Sequence, residues 1–468
     1  MKRRDFIKKG ALTASAVGVA STIQGAPIPF KNRSKTKSSR PNILFVMTDQ
    51  QCAEAIRAFG NKDLHTPSMD RIAKYAMNFK KAYCPTPLCV PSRSSMFTGL
   101  YPHEINVPIN NLKAEWNTTE YPYMGNILKT AGYDTGYVGK WHLPASPKDK
   151  HIHGFDFIKH ARANDLDPDV AEASIEFLSQ ERDKPFLLVS SFVNPHDICQ
   201  WARGEAMRND AIGVPPKGDQ CPELPDNFEI PELEPDVIRY VHSLSKRTYP
   251  TDDWSESKWR QYRWAYYRLV EKVDAHLKPI LDALEEKDLL EDTVIIFTSD
   301  HGDGNAHHKW NQKQILYDEA ARVPFMISWK GHTEITEYND LPISTGIDLI
   351  PTMCEIAGVK APVYMKGKPL FKLSNGDRTA FDREYTITET EFCLSKVTYG
   401  VKGRMVRSSR YKYIVYEQGH LKEQFFDMDS DPGEMTNLAY DKNYKELKNK
   451  HIDVLKEWIK ETRDNFQI

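Results

Sequence analysis

Four short apolar runs in this chain each break abruptly into a polar cluster, and that pattern limits the folds open to it. Asn42 to Thr48 ends at Asp49-Gln50, and Asp134 to Val138 leads into Gly139-Lys140-Trp141-His142. Pro185 to Val193 leads into Asn194-Pro195-His196-Asp197, and Thr293 to Ser299 into Asp300-His301-Gly302-Asp303. An apolar run without alternation reads as a strand buried on both faces, as in parallel sheets covered by helices. Helical stretches lie between them at Asp169 to Gln180 and Trp254 to Leu284, with another at Ile347 to Ile356. Strand alternating with helix predicts an α/β sandwich, whose ligand crevice lies beyond the carboxyl ends of the strands. All four polar clusters are therefore expected at one edge of one sheet.

The ends of the chain follow other rules. Arg3-Arg4-Asp5-Phe6-Ile7-Lys8 precedes a small, apolar run from Ala11 to Ile23 and then Ala26, the order of a twin-arginine signal peptide. That run is too short for a comfortable membrane span, so residues 1–26 are expected to be removed on export to the periplasm or beyond, leaving no stable span. Residues 27–40, basic and rich in Ser and Lys, read as a linker, 41–375 as the large domain, and 376–468 as a smaller α+β subdomain with a short antiparallel sheet. The tail holds the β-prone Tyr411 to Tyr416, the turn-rich Asp427 to Gly433, and an amphipathic helix over roughly Asn443 to Arg463. Cys199 to Asp253, rich in Pro, Asp, Glu and Lys, reads as a long surface excursion. A formal net charge of -2 and the lack of a basic stripe interleaved with aromatics argue against nucleic acid as a partner. The 7 cysteines contain no CxxC pair, which indicates neither a zinc knuckle nor a dense disulfide framework.

Cys89-Val90-Pro91-Ser92-Arg93, continuing through Ser94-Ser95-Met96-Phe97-Thr98-Gly99, is the most specific chemical signal. Proline two places after the cysteine suits the first turn of a helix, where unpaired N–H groups favour an anion. Taken alone, a buried structural cysteine is the commoner outcome. Asp49-Gln50 and Asp300-His301 offer carboxylate, amide oxygen and imidazole, donors suited to a divalent cation, although a lone strand-end aspartate more often caps a turn. His196, just after a proline, reads equally as an acid–base group or a turn residue.

Together these segments resemble the type I sulfatases, the formylglycine-dependent family of the alkaline phosphatase superfamily. Cys89 to Arg93 with Thr98-Gly99 carries every fixed position of that family's CxPSR…TG signature, and Gly139-Lys140-Trp141-His142-Leu143 matches its GKWHL segment. Lys313 with Leu316 to Pro324 resembles its K…LYE…RVP stretch, while Gly346 to Thr352 and Phe426 to Glu434 extend the likeness over nearly the whole mature chain. The resemblance implies an alkaline-phosphatase-like sandwich with a large, mostly parallel central sheet flanked by helices. It also implies that a maturation enzyme oxidises Cys89 to formylglycine (3-oxoalanine), whose hydrate attacks sulfur while Arg93 holds the diol. Asp300 would help deprotonate the hydrate, and His196 would protonate the departing alcohol. His142 would trigger sulfate release, and Lys140, Lys313, His196 and His308 would bind the ester. Asp49, Gln50, residue 89, Asp300 and His301 would hold Ca²⁺. Gln50 and His301 stand where many relatives have Asp and Asn, and imidazole admits softer ions such as Mn²⁺.

The substrate expected from the resemblance is a sulfated carbohydrate, with Trp201 and Arg203 as candidate sugar contacts. Two other readings stay open. A phosphonate monoester or phosphodiester hydrolase of the same superfamily accounts for Gln50 and His301 but not for GKWHL. A non-catalytic carbohydrate-binding relative should have lost one of Cys89, Arg93, Asp300 or Lys313, and all are present.

Overall fold

The first apolar run, strand β1 (Asn42–Asp49), divides its side chains between two cores. Leu44 and Val46 pack on one face with the helices Asp167–Leu178 and Glu256–Glu286, while Ile43, Phe45 and Met47 pack on the other with Cys89–Thr98 and Leu349–Ile356. Both faces are thus apolar, which is why the run shows no alternation. The computed structural model describes residues 40–468 apart from 163–165, 210, 250, 334, 377, 379–380 and 395–396. The expected signal peptide, and the expected linker up to residue 39, lie outside the described residues.

The remaining strands are β2 (Ala76–Phe79), β3 (Ala82–Tyr83), β4 (Asp134–Gly139), β5 (Phe157–Lys159), β6 (Phe186–Pro195), β7 (Thr293–Ser299), β8 (Phe325–Ser328), β9 (Thr336–Tyr338) and β10 (Ile343–Ser344), then β11 (Thr386–Leu394), β12 (Val397–Arg407), β13 (Tyr411–Tyr416) and β14 (Glu423–Asp427). An 8-stranded sheet runs β5-β4-β6-β1-β7-β8-β2-β9, parallel except where β8 pairs antiparallel with β7 and β2. Phe45 lies opposite Val189 of β6 and Ile296 of β7. The strands that end in the four polar clusters are therefore consecutive neighbours, β4-β6-β1-β7, and their carboxyl ends share one edge. This is the α/β sandwich that the sequence predicts.

β11 to β14 form an antiparallel sheet in sequential order. One face takes Leu455 and Trp458 of the helix Lys445–Thr462, and the other sets Met405, Ile414 and Phe426 against Trp310, Ile315 and Leu316. Lys412 of β13, fully buried, pairs with Asp318 at 2.9 Å and Glu434 at 2.7 Å and ties this sheet to the segment after β7.

Two expectations need correction. The region from Cys199 to Asp253 is not an irregular excursion, because it holds the helix Asp236–Thr248, whose Val237, Ile238 and Val241 are buried against the core around Trp310 and Leu316. Three apolar residues at helical spacing outweigh the acidic, proline-rich surroundings. Trp201 and Arg203 are not free for a sugar. Trp201 packs edge-on against Trp254 and Tyr262 under Lys258, and Arg203 forks onto Glu205 at 2.9 and 2.7 Å.

Candidate active site

Cys89 opens the helix Cys89–Thr98, every residue of which is buried, and Gly99 closes it in the left-handed conformation. The thiol lies 3.2 Å from Nε2 of His301, 3.1 Å from Nζ of Lys313 and 3.9 Å from Oδ1 of Asp49. His142 and His196 also interact with it. Burial and the Asp49 charge oppose ionisation of this thiol, but Lys313, Lys140 and His301 prevail and hold it well below the usual thiol range. A nucleophile made here sits among cations.

The fully buried Arg93, one turn along the same helix, binds the two carboxylates together. Its Nε donates to Oδ2 of Asp300 at 2.7 Å and its Nη2 to Oδ2 of Asp49 at 3.0 Å. Nη1 donates to the Lys140 carbonyl and to Oγ of Ser191, both at 2.9 Å. Lys140 forms an ion pair with Asp49. Burial alone would raise the Asp49 carboxyl, yet Lys140, His196 and Arg93 hold it well below the carboxylate range. Asp300 is pushed up to about 6, first by burial and then by the neighbouring Asp49 charge. Of two carboxylates this close, one stays ionised and the other is nearer to taking a proton.

Strand-end geometry delivers these groups. β4 ends at Gly139, whose φ of 93° and approach to Ser191 would place a Cβ 2.0 Å from the Ser191 carbonyl oxygen, so only glycine lets Lys140 swing in beside β6. Gln50, directly after β1, and His142, three residues past the end of β4, also have positive φ, 72° and 46°. Such departures from ordinary backbone occur where surrounding structure holds a side chain in place for function.

Donor atoms of Asp49, Cys89, Asp300 and His301 all lie within 4.8 Å of one another. Nδ1 of His301 is 2.8 Å from the Gly302 carbonyl, which can only accept, so Nδ1 carries a proton, and in the neutral ring Nε2 would offer a cation its lone pair beside Cys89. Two carboxylates, an imidazole lone pair and the nearby amide of Gln50 are donors that fit a divalent cation. A second cluster, His103, Glu389 and Asp464, is closed by its own ion pairs: His103 meets Glu389 at 2.7 Å and Arg404 forks onto Asp464 at 2.7 and 3.0 Å.

The site opens into a cavity of about 200 Å³ lined by His196, Lys313, Tyr249, Trp310, Phe392 and Tyr399, so β11 and β12 supply part of its wall. Nδ1 of His196 accepts from Nη2 of Arg208 at 2.8 Å, which leaves the proton on Nε2, the other end of the ring. Burial, Lys313 and Lys140 push this imidazole down to about 3. His308 stands apart from the cluster, stacked on Tyr317 with centroids 4.0 Å apart and with Nε2 3.3 Å from Nδ2 of Asn227. Asp49, Gln50, Cys89, Arg93, Lys140, His142, His196, Asp300, His301 and Lys313 come together. Ser191, Arg208 and Asp303, none of them given a role from the sequence, join them. Asp303 shares the loop of Asp300 and could have been suspected from that, whereas Ser191 and Arg208 carry no local signal.

Known proteins resemble this chain over most of its length. Residues 41–359 match the family model described as Sulfatase, and residues 306–463 match that of N-sulphoglucosamine sulphohydrolase, C-terminal. A Delta 4,5-hexuronate-2-O-sulfatase of Bacteroides thetaiotaomicron is 30% identical over 446 residues, spanning 92% of this chain and 90% of that protein. An Ulvan-active sulfatase of Formosa agariphila is 27% identical over 509 residues, spanning 100% and 92%. The solved structure of a 2-O GAG sulfatase superposes with a TM-score of 0.80 at 29% identity, covering 91% of this chain and 93% of that one.

Proposed function

The chain belongs to the sulfatase family and is a sulfuric ester hydrolase, and from that premise we propose that it releases sulfate from a sulfated carbohydrate by way of a formylglycine made from Cys89. The relatives named for hexuronate and ulvan sulfates support the carbohydrate. One observation carries the mechanism: Cys89 lies at a helix N-terminus within 3.2 Å of both Lys313 and His301, beside the paired carboxylates Asp49 and Asp300.

In this reading a maturation enzyme converts the Cys89 side chain to an aldehyde, whose hydrate offers one hydroxyl for attack and a second for expelling sulfate. Asp300, the carboxyl nearer to neutrality, takes the proton of the attacking hydroxyl. Lys140 and Lys313 grip the sulfate oxygens, where fixed cations offset the charge gathered in the transition state. His196 is the proposed acid for the leaving alcohol, with the charge of a bound sulfate offsetting Lys140 and Lys313, the cations that help keep its imidazole neutral, and His142 takes the proton that releases sulfate. Asp49, Gln50, residue 89, Asp300 and His301 are the proposed ligands of Ca²⁺, with Mn²⁺ as the alternative. Held there, such an ion would supply Lewis-acid chemistry to the site. Arg93 braces Asp49 and Asp300, whereas His308, stacked on Tyr317 away from the cluster, is given no part in binding the ester. The catalytic part is taken as 41–375, followed by the subdomain 376–468. Arg3-Arg4 and the small-residue run behind them support export to the periplasm, and no helix among the described residues is long and apolar enough to cross a membrane.

Steady-state rates with matched aryl sulfate and aryl phosphonate esters test the reaction class. Preference for the sulfate, with formylglycine found by mass spectrometry in the Cys89 peptide of natively matured protein, is the expected result. A large preference for the phosphonate, or an unmodified thiol, overturns it.

A further inference from the structure

A glutamine can serve as a cation ligand only when its amide is turned the right way. An aspartate at position 50 would present an oxygen either way round, whereas an amide presents oxygen from one end and N–H from the other. Gln50 is fully buried, just past the end of β1, and its Nε2 donates to Oδ2 of Asp303 at 2.6 Å. An ionised carboxylate only accepts, so the nitrogen is the end that faces Asp303. Oε1 then lies on the opposite side, 3.0 Å from Nζ of Lys313, which is itself 3.1 Å from the Cys89 sulfur. A reversed amide would set oxygen against carboxylate and N–H against ammonium. Asp303 is immobilised in turn: Oδ1 accepts from the backbone N–H of Asn305 at 2.7 Å and from the hydroxyl of Tyr262 at 2.9 Å.

We propose that Asp303 is a positioning residue that fixes the Gln50 amide with its oxygen toward the cation, so that the metal site extends through Asp303 to Tyr262 on the helix Glu256–Glu286. This rests on the reading of Gln50 as a ligand. Lys313 favours the same orientation, but it is the group drawn toward sulfate during turnover, whereas Asp303 makes its contact away from the sulfur-reacting atoms. An asparagine at position 303 keeps the shape and changes the pattern. Its oxygen is claimed by the Asn305 N–H, its amide nitrogen turns to Gln50, and the Gln50 amide answers by reversing, so that N–H points where the ligand oxygen stood.

The test is Ca²⁺ affinity by isothermal titration calorimetry on chelator-stripped protein. Asp303→Asn should bind Ca²⁺ roughly 10- to 100-fold more weakly than wild type, the usual effect of losing the partner that orients a ligand. In the Gln50→Ala background the same substitution should have no further effect. A purely structural role would lower affinity in both backgrounds, and that result, or affinity within about twofold of wild type for Asp303→Asn, overturns the proposal. Unchanged affinity in Gln50→Ala alone refutes instead the ligand role of Gln50, and the inference with it. Should Asp303→Asn fail to fold, the exchange Gln50→Glu with Asp303→Asn carries the test. The amide introduced at position 303 then donates to the carboxylate introduced at position 50, and binding should be at least about tenfold tighter than in Gln50→Glu alone, where two carboxylates face each other. Equal or weaker binding in the exchange overturns the proposal.

Discussion

Arg93 donates from Nε to Oδ2 of Asp300 across 2.7 Å, with neither side chain reaching solvent. The same guanidinium holds Asp49, the Lys140 carbonyl and Ser191, so one planar group sets the spacing of both carboxylates. Lysine keeps the charge but has a single nitrogen, which cannot replace the fork. Arg93→Lys is expected to cost about 3 kcal/mol or more, the scale for disturbing a buried ion pair, and to lower kcat/KM by roughly a hundredfold or more. Urea unfolding midpoints and sulfate release measure the two effects. Wild-type values for both would show that Arg93 is dispensable to the site.

Cys89→Ser separates folding from chemistry. The hydroxyl fits the space of the thiol at the first position of the helix Cys89–Thr98, so the thermal transition should move little, by about 1 kcal/mol or less in stability. Serine lacks the second hydroxyl of an aldehyde hydrate, so in a host without serine-type maturation turnover should fall to background. Full activity of that variant would rule out the formylglycine route.

The parts of this molecule legible in its sequence are those whose physics is local. β1, β4, β6 and β7 can be read because strands buried on both faces are continuous apolar runs, and their neighbourhood follows from strand–helix alternation. β2, β8 and β9 escape such a reading because they span only 3 or 4 residues, where an apolar stretch has no period to betray it. The helix Asp236–Thr248 is hidden by its acidic and proline-rich flanks. In the site, residues within a distinctive motif stand out, and residues acting through another side chain do not. Tyr262 reaches Asp303 from 41 positions away, and Arg208 meets His196 from a loop with no motif of its own. Nothing in residue type or spacing announces such partnerships.

Metal removal should leave the protein folded but less stable. Arg93, Lys140 and Lys313 already neutralise the carboxylates and thiol around the ligand set, so repulsion among them need not unfold the chelator-treated chain. Returning Ca²⁺ should then raise the melting temperature as ligand excess grows, with a stabilisation of about 2.7 kcal/mol at a hundred times Kd. Asp49→Asn should abolish most of that rise. The same titration with Mn²⁺ decides which ion the imidazole of His301 favours. A melting temperature indifferent to both ions would remove the metal from the proposed mechanism.

His153 gives the pH dependence of folding a source outside the reacting groups. Its ring lies edge-on to Trp141 with centroids 4.9 Å apart, Nδ1 accepts from the Phe155 N–H at 3.2 Å, and Nε2 is 3.3 Å from the Pro147 carbonyl. Burial pushes the imidazole down to about 4, with the Pro147 carbonyl only partly opposing it. In the unfolded chain the same group titrates near its ordinary value of about 6.5. Between these two values the unfolded chain holds a proton that the folded one refuses, so acid favours unfolding. The contribution is fully present above about pH 6.5, drains as pH falls, and is exhausted below about pH 4, each unit of displacement being worth about 1.4 kcal/mol. His153→Gln cannot take up that proton, so between about pH 7.5 and about pH 4.5 its urea midpoint should fall less than that of the wild type. Parallel falls in the two proteins would mean that His153 charges as readily in the native state as in the unfolded chain, and that the acid sensitivity of this fold arises elsewhere.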